Sequence, residues 1–66
     1  MAILADLKPF SKWVHKKGGI YSVIEVAVGC GGDLEGKSLV VYEDQATRRL
    51  WVRDVVEFLD GRFTKV

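Results

Sequence analysis

Residues 20–28 constrain the fold more strongly than any other segment of the chain. They contain neither Gly nor Pro, and six of the nine are β-branched or aromatic. Such a run predicts a long β-strand, because branched and aromatic side chains pack well on a pleated surface. Alternate side chains of a strand point to opposite faces, so Ile20, Ile24, Val26 and Val28 are predicted to share one face. The chain must therefore build a sheet that buries this face.

Four shorter segments also have the composition of strands, and they lie at 13–17, 38–43, 49–53 and 62–66. Gly18-Gly19 is typical of a tight hairpin turn, and Asp54 is a candidate N-cap for a helical turn at 55–59. Five short strands with one helical turn before the last indicate a mainly β fold, a small SH3-like barrel, because closure removes the free edges of a sheet. We predict a barrel domain at 13–66 and an N-terminal arm at 1–12, where Pro9 opposes a continuous helix.

The same alternation predicts the core. Eight apolar residues of matching parity are expected to be buried: Ile20, Ile24, Val26, Leu39, Val41, Leu50, Val52 and Phe58. Between the second and third strands, the segment Gly29–Gly36 has four glycines in eight residues. We predict an open loop that folding does not require, because glycines order poorly and loop length costs little free energy.

Several blocks along the chain resemble a known family pattern. They are His15-Lys-Lys-Gly-Gly-Ile-Tyr-Ser-Val-Ile24, Leu39-Val-Val-Tyr42, Leu50-Trp-Val-Arg53 and Phe58-Leu-Asp-Gly-Arg-Phe63. In this order, over about residues 13–63, they are similar to the family catalogued as domain of unknown function sixteen-fifty-three (DUF1653), small proteins of bacteria and their phages. The chain departs from the pattern at Asp54, where the family has Pro, and in the Gly29–Gly36 segment. The resemblance implies a compact SH3-like barrel and no assigned activity.

The composition argues against an enzyme and against a dedicated nucleic-acid binder. The formal net charge is +1 and the isoelectric point is about 7.9, whereas nucleic-acid-binding domains usually exceed about 9. Cys30 is the only thiol and His15 is the only imidazole. They are too few for the clustered ligands of a zinc site, and no spacing requires them to meet as a catalytic pair. We predict that the chain is not an enzyme and binds no cofactor.

Cysteine usage and hydropathy indicate the compartment. A single cysteine cannot form an internal disulfide, which favours a reducing environment. The chain has no apolar run of about 18 residues, so no membrane-spanning segment is predicted, and its first residues lack the pattern of a signal peptide. We expect a cytoplasmic protein that does not bind a membrane.

Aromatic and basic side chains on the predicted strands form the candidate binding site. If Leu50 and Val52 point into the core, Trp51 and Arg53 must point outward together. The candidate platform consists of Trp51, Arg53, Tyr21, Trp13, His15 and Arg48. Exposed Trp, Tyr and Arg dominate the binding energy of protein interfaces. The alternative for Trp51 is a rim residue that covers the mouth of the barrel.

Two classes of function follow from this platform. The first is a small protein-interaction module whose partner is another protein, such as a host protein if the chain belongs to a phage, or its own copy in a homodimer. The second is a nucleic-acid accessory protein, in which bases stack on Trp51 or Tyr21 and nearby arginines neutralise phosphates. A small nucleotide-like ligand on the same platform is a third, weaker option. The salt dependence of binding separates a phosphate contact from an aromatic protein contact.

Overall fold

A computed structural model describes residues 4–66. The elements are β1 at Lys12–His15, β2 at Ile20–Val28, β3 at Ser38–Asp44, β4 at Leu50–Asp54, α1 at Val55–Phe58 and β5 at Phe63–Lys65. Short 3₁₀ turns lie at Leu4–Asp6 and Gly32–Leu34. The prediction of a mainly β fold with five strands and a helical turn before the last is confirmed. Residues 1–3 of the predicted N-terminal arm lie outside the described residues.

The strands form one antiparallel sheet in the order β4-β3-β2-β1-β5. Within the described residues β4 pairs only with β3, and β5 pairs only with β1. The sheet is therefore open, with β4 and β5 at its edges, whereas closure into a barrel was predicted.

The sheet is strongly bent. Three strand-to-strand steps of about 4.8 Å separate β3 from β5 in a flat sheet. The ring of Tyr42 on β3 nevertheless lies 5.5 Å from the ring of Phe63 on β5, centroid to centroid. The sheet must curl over its own inner face for these rings to meet, and this curl encloses the core.

A β-bulge in β2 decides which side chains enter the core. Val23 pairs with Tyr42, whereas Glu25 pairs with Val41, so Ile24 is an extra residue without a partner on β3. The extra residue reverses the alternation, and Val23 and Val26 consequently share the inner face although their numbers differ in parity. The predicted buried face of β2 is corrected accordingly: Val23 is fully buried, Ile24 is half-buried and Ile20 is exposed.

Aromatic side chains make up more than half of the core, where mainly aliphatic ones were predicted. The buried cluster consists of Leu7, Trp13, Val23, Val40, Tyr42, Phe58 and Phe63. Leu50 and Val52 of β4 are 59% and 57% exposed, contrary to the prediction. The inner face of β4 instead carries Trp51 and Arg53, which pair with Tyr42 and Val40 of β3. Of the predicted core residues, Leu39 and Phe58 are buried, and Val26 packs against the cluster.

The segment before β1 packs against this same core. Leu7 is buried in the cluster. The backbone N–H of Phe10 donates to the carbonyl of Val23 at 2.7 Å, and the N–H of Val23 donates to the carbonyl of Ser11 at 2.9 Å. The Ser11 hydroxyl also accepts from the indole N–H of Trp13 at 3.0 Å. The two backbone bonds pair the N–H and the carbonyl of Val23, next to the bulge in β2.

The glycine-rich segment is closed by its own backbone. The N–H of Gly29 donates to the carbonyl of Lys37 at 2.7 Å, and the N–H of Gly36 donates to the carbonyl of Gly29 at 3.0 Å. Gly29 is buried, while residues 30–38 are exposed. The loop is therefore a compact appendage anchored at Gly29.

Candidate binding site

The inner face of the bent sheet opens at one end into a pocket of about 420 Å³, which we call the aromatic pocket. Its lining residues come from β1 to β5 and from the β1–β2 turn: His15, Lys17, Gly18, Tyr21, Tyr42, Trp51, Arg53 and Phe63. Five of these eight residues have an aromatic ring and three have a basic group, counting His15 in both. Among the residues that the structure describes, none with a carboxylate lines the pocket.

Strand pairing explains why these rings meet. Tyr42 and Trp51 are directly opposite each other on β3 and β4, and His15 is directly opposite Phe63 on β1 and β5. The bend of the sheet brings these two pairs to facing sides of one concave surface. Tyr21 on β2 completes it, with its ring 5.6 Å from both Tyr42 and Phe63.

Phe63 connects the pocket to the core. Its ring stacks on Phe58 at 4.1 Å with planes only 9° apart, and it contacts His15 edge to face at 4.9 Å. Aromatic pairs in such arrangements gain about 0.5–1.5 kcal/mol each beyond the area they bury. The pocket floor is therefore held by the same packing that holds the fold, and it is formed before any ligand arrives.

Arg53 is fixed within the pocket by three contacts. Its Nε donates to the Tyr42 hydroxyl at 3.4 Å, its guanidinium carbon lies 5.8 Å from the centre of the Phe63 ring, and its Nη1 is 3.9 Å from a carboxylate oxygen of Glu57. The hydrogen bond to Tyr42 raises the pKa of Arg53. The half-buried guanidinium is thus a permanent positive charge in a defined position.

His15 stands at the base of the β1–β2 turn. The backbone N–H of Lys17 donates to its Nδ1 at 3.1 Å, so the neutral ring carries its proton on Nε2. The turn itself needs Gly18 and Gly19, whose φ angles are +99° and +90°, a conformation that side chains disfavour. Burial lowers the pKa of His15 below its ordinary 6.5, and the nearby positive charges, Arg53 foremost, lower it further.

We expect acidification to destabilise the fold through His15. The unfolded chain takes up this proton near pH 6.5, and the folded chain does so at lower pH. Between these two pH values the unfolded state binds more protons than the folded state. The contribution of His15 to the free energy of unfolding is therefore fully present above pH 6.5 and is lost as the pH falls. Urea denaturation at about pH 7.5 and about pH 5.5 measures the difference. His15→Asn should reduce it, and an equal loss in the variant would contradict the assignment to His15.

The structure brings four of the six predicted platform residues together, namely His15, Tyr21, Trp51 and Arg53. Trp13 is corrected to a core residue: its side chain is 0% exposed, and its ring packs on Phe58 at 5.3 Å. Arg48 lies outside the pocket, where its Nε pairs with Glu43 at 3.2 Å.

Sequence reasoning missed Tyr42, Phe63 and Lys17 as pocket residues. Tyr42 and Phe63 are almost fully buried, yet one part of each ring reaches the pocket. The alternation did place Tyr42 on the face of Val40, which is the inner face. For Lys17, the signal in the sequence was its position next to the Gly18-Gly19 turn.

The remaining chemistry of the described residues is sparse. No group of three or more potential metal ligands is found among residues 4–66. Cys30 is exposed and does not line the aromatic pocket. Over the same residues, no helix has the length and apolar character needed to cross a membrane.

Fold and site together define a small antiparallel β domain with a basic, aromatic surface pocket. A family model described as "Protein of unknown function (DUF1653)" matches residues 11–64. The chain therefore belongs to the DUF1653 family, as its sequence blocks indicated. Neither the curated proteins nor the solved structures include a match to it.

Proposed function

We propose that the chain is a small, non-enzymatic protein-interaction module that docks an extended segment of a partner protein in the aromatic pocket. One observation carries the proposal: the pocket opens beside β4, an edge strand of the sheet. Exposed Cys30 suits a reducing compartment, so we propose a cytoplasmic location.

The geometry of β4 supports an extended ligand. Trp51 and Arg53 are two residues apart on this strand, so they share a face, and both line the pocket. An added strand that pairs with a sheet edge sets its own alternate side chains on the same face. A partner segment beside β4 would thus direct every second side chain toward the pocket, while its backbone bonds to the free edge.

The residue types support a protein partner as well. Trp, Tyr and Arg are enriched among the residues that carry most of the energy of protein interfaces. Trp51 is 45% exposed, and the rings beneath it are already packed, so little ordering cost remains for binding. We also propose an SH3-like fold, which is supported by the five short strands, the bend of the sheet and the helical turn before β5. Aromatic grooves that bind extended peptides occur on such folds.

Selection from a random peptide library displayed on phage tests the proposal. Wild-type protein and Val56→Ala should retain the same peptides, and Trp51→Ala should lose them, because Trp51 forms the exposed wall of the pocket. Val56 is the matched control, since it is apolar, 77% exposed and outside the pocket. Backbone amide NMR shifts caused by a selected peptide should concentrate on β4 and the pocket.

Two results would contradict the proposal. One is a selection in which no peptide is enriched on the wild-type protein. The other is a set of peptides that Trp51→Ala retains as well as the wild type does. Either result removes the aromatic pocket as a site for protein segments.

Nucleic acid is the second candidate, favoured by one contact. The guanidinium carbon of Arg49 lies 5.8 Å from the centre of the Trp51 ring, and a base could stack where a cation neighbours an aromatic face. A pocket of about 420 Å³ also lies within the usual size range of small-ligand sites. Titration with a short oligothymidylate and with ATP at rising NaCl concentration tests both ligands. A steep loss of affinity with salt, absent from the peptide complex, would favour phosphate binding.

A second copy of the chain is a further candidate partner. Antiparallel pairing of β4 with β4 around Val52 would place Trp51 of one copy opposite Arg53 of the other. Light scattering distinguishes the cases: a mass near 7.4 kDa leaves the pocket free for a different protein, and about twice that mass indicates a homodimer.

A further inference from the structure

We infer that the partner segment is acidic, with carboxylate side chains that face the aromatic pocket. The inference rests on the proposed function and names the chemistry of its ligand. It comes from the distribution of charge around the pocket, where cations outnumber carboxylates although the chain as a whole is nearly neutral, at +1.

Positive groups reach the pocket from separate parts of the fold. Lys17 comes from the β1–β2 turn and Arg53 from β4, and both line the pocket. Arg49 precedes β4 and places its guanidinium beside the Trp51 ring. Lys16 and Arg62 are also close enough to lower the pKa of His15 by repulsion, although Arg62 is paired with Asp60 at 3.0 Å. A carboxylate would be attracted from several directions.

Two of these cations have no counter-charge in the fold. Among residues 4–66, neither Lys17 nor Arg49 forms an ion pair. The one ion pair of Arg53 among these residues is a long contact of 3.9 Å to Glu57, whose side chain is 56% exposed, and Asp60 also lies near enough to favour its charge. A carboxylate of the partner could pair with Lys17 and Arg49 and compete with Glu57 for Arg53, without breaking a buried contact.

The backbone favours carboxylates over phosphates. Phosphate sites commonly use free backbone N–H groups in a loop or at a helix N-terminus. In the β1–β2 turn, the N–H of Lys17 is bonded to Nδ1 of His15, and the N–H of Gly18 is bonded to the carbonyl of His15 at 2.8 Å. The turn therefore offers dispersed side-chain cations instead of a cradle of amides, which suits carboxylates spaced along a peptide.

The alternation of an added strand predicts a spacing. A side chain opposite Trp51 and the next one on the same face are two residues apart. We expect an apolar residue against Trp51 and an Asp or Glu two positions away, near Arg53. Peptides selected as described above should be enriched in this pattern relative to the unselected library.

Matched peptides and variants test the inference by calorimetric titration. A selected peptide should bind about threefold to fivefold more weakly when its Asp and Glu residues become Asn and Gln, which is the upper part of the usual range for exposed ion pairs. Lys17→Glu should cause a similar loss for the acidic peptide and a gain for a version with Lys in place of the carboxylates. Lys8→Glu is the control, because Lys8 is exposed and outside the pocket.

The possible outcomes distinguish a failure of the acidic-partner inference from a failure of the proposed docking function. If the amide peptides bind within twofold of the acidic ones, or the selected peptides are neutral or basic, the acidic partner is excluded and the docking function stands. If no peptide depends on Trp51, the docking function itself fails. Oligothymidylate and unlabelled acidic peptide can be compared as competitors for the bound acidic peptide. If oligothymidylate displaces it at the lower concentration, the cations bind nucleic acid and the inference is wrong.

Discussion

Replacing Phe58 by alanine should remove a large share of the free energy of unfolding of the chain. The side chain has no exposed surface, stacks on Phe63 and meets Trp13 and Tyr42 edge to face. Removing a buried Phe costs about 3–5 kcal/mol. A chain of 66 residues has a total stability of roughly 3–10 kcal/mol, at about 0.05–0.15 kcal/mol per residue. Urea denaturation followed by circular dichroism measures the loss.

Val56→Ala is the control for this result, because Val56 belongs to the same helix and is exposed. It should change the free energy of unfolding by less than about 0.5 kcal/mol, as surface substitutions usually do. A Phe58→Ala protein that unfolds at the urea concentration of Val56→Ala would show that the aromatic cluster is not the main source of stability.

Gly29→Ala should also destabilise the fold strongly. Gly29 is buried at the end of β2, and a Cβ atom there would overlap the carbonyl oxygen of Leu34 and lie 2.9 Å from its carbonyl carbon. Both are backbone atoms, so the loop must shift and strain its hydrogen bonds to Lys37 and Gly36. Overpacking of this kind costs about 1–3 kcal/mol. A lowered midpoint in thermal unfolding is the expected observation.

Cys30→Ala, at the next position, tests whether the effect is specific. Cys30 is exposed, so its substitution should leave the unfolding temperature unchanged. Gly29→Ala and Cys30→Ala together test the prediction that folding does not require the Gly29–Gly36 segment. Equal stability of Gly29→Ala and the wild type would support a dispensable loop, whereas a marked loss would show that its closed form contributes to the fold.

The positions of the strands along the chain were predictable, but the buried face of the sheet was not. Turn residues such as Gly18-Gly19 and the capping carboxylate of Asp54 act locally, and the latter does accept from the Val56 N–H at 2.7 Å. The inward face depends on register, which the bulge at Ile24 shifts by one residue. No local feature of an unbroken β-branched run marks that extra residue. No single alternation could therefore describe both halves of β2: the predicted inner face was wrong at Ile20, before the bulge, and right at Val26, after it.

The candidate site was predictable where it depended on one strand and not where it depended on several. Trp51 and Arg53 share a face because they are two residues apart, and the alternation is enough to show it. Trp13 could be placed only by knowing that the sheet curls and encloses β1 under Phe58. Tyr42 and Phe63 belong to both core and pocket, because a bend brings distant strands into contact. Such double roles arise from tertiary packing and leave no pattern in the sequence.

The two tryptophans provide separate optical reporters. Trp13 is sealed in the core with its indole N–H on Ser11, and Trp51 is partly open to water at the pocket. Their fluorescence should differ in colour, with Trp13 emitting at shorter wavelength and Trp51 being accessible to added quenchers. A Trp51→Phe variant would then report unfolding alone, and the difference from wild type would report occupancy of the pocket. The chain can thus be followed through both events without any attached dye.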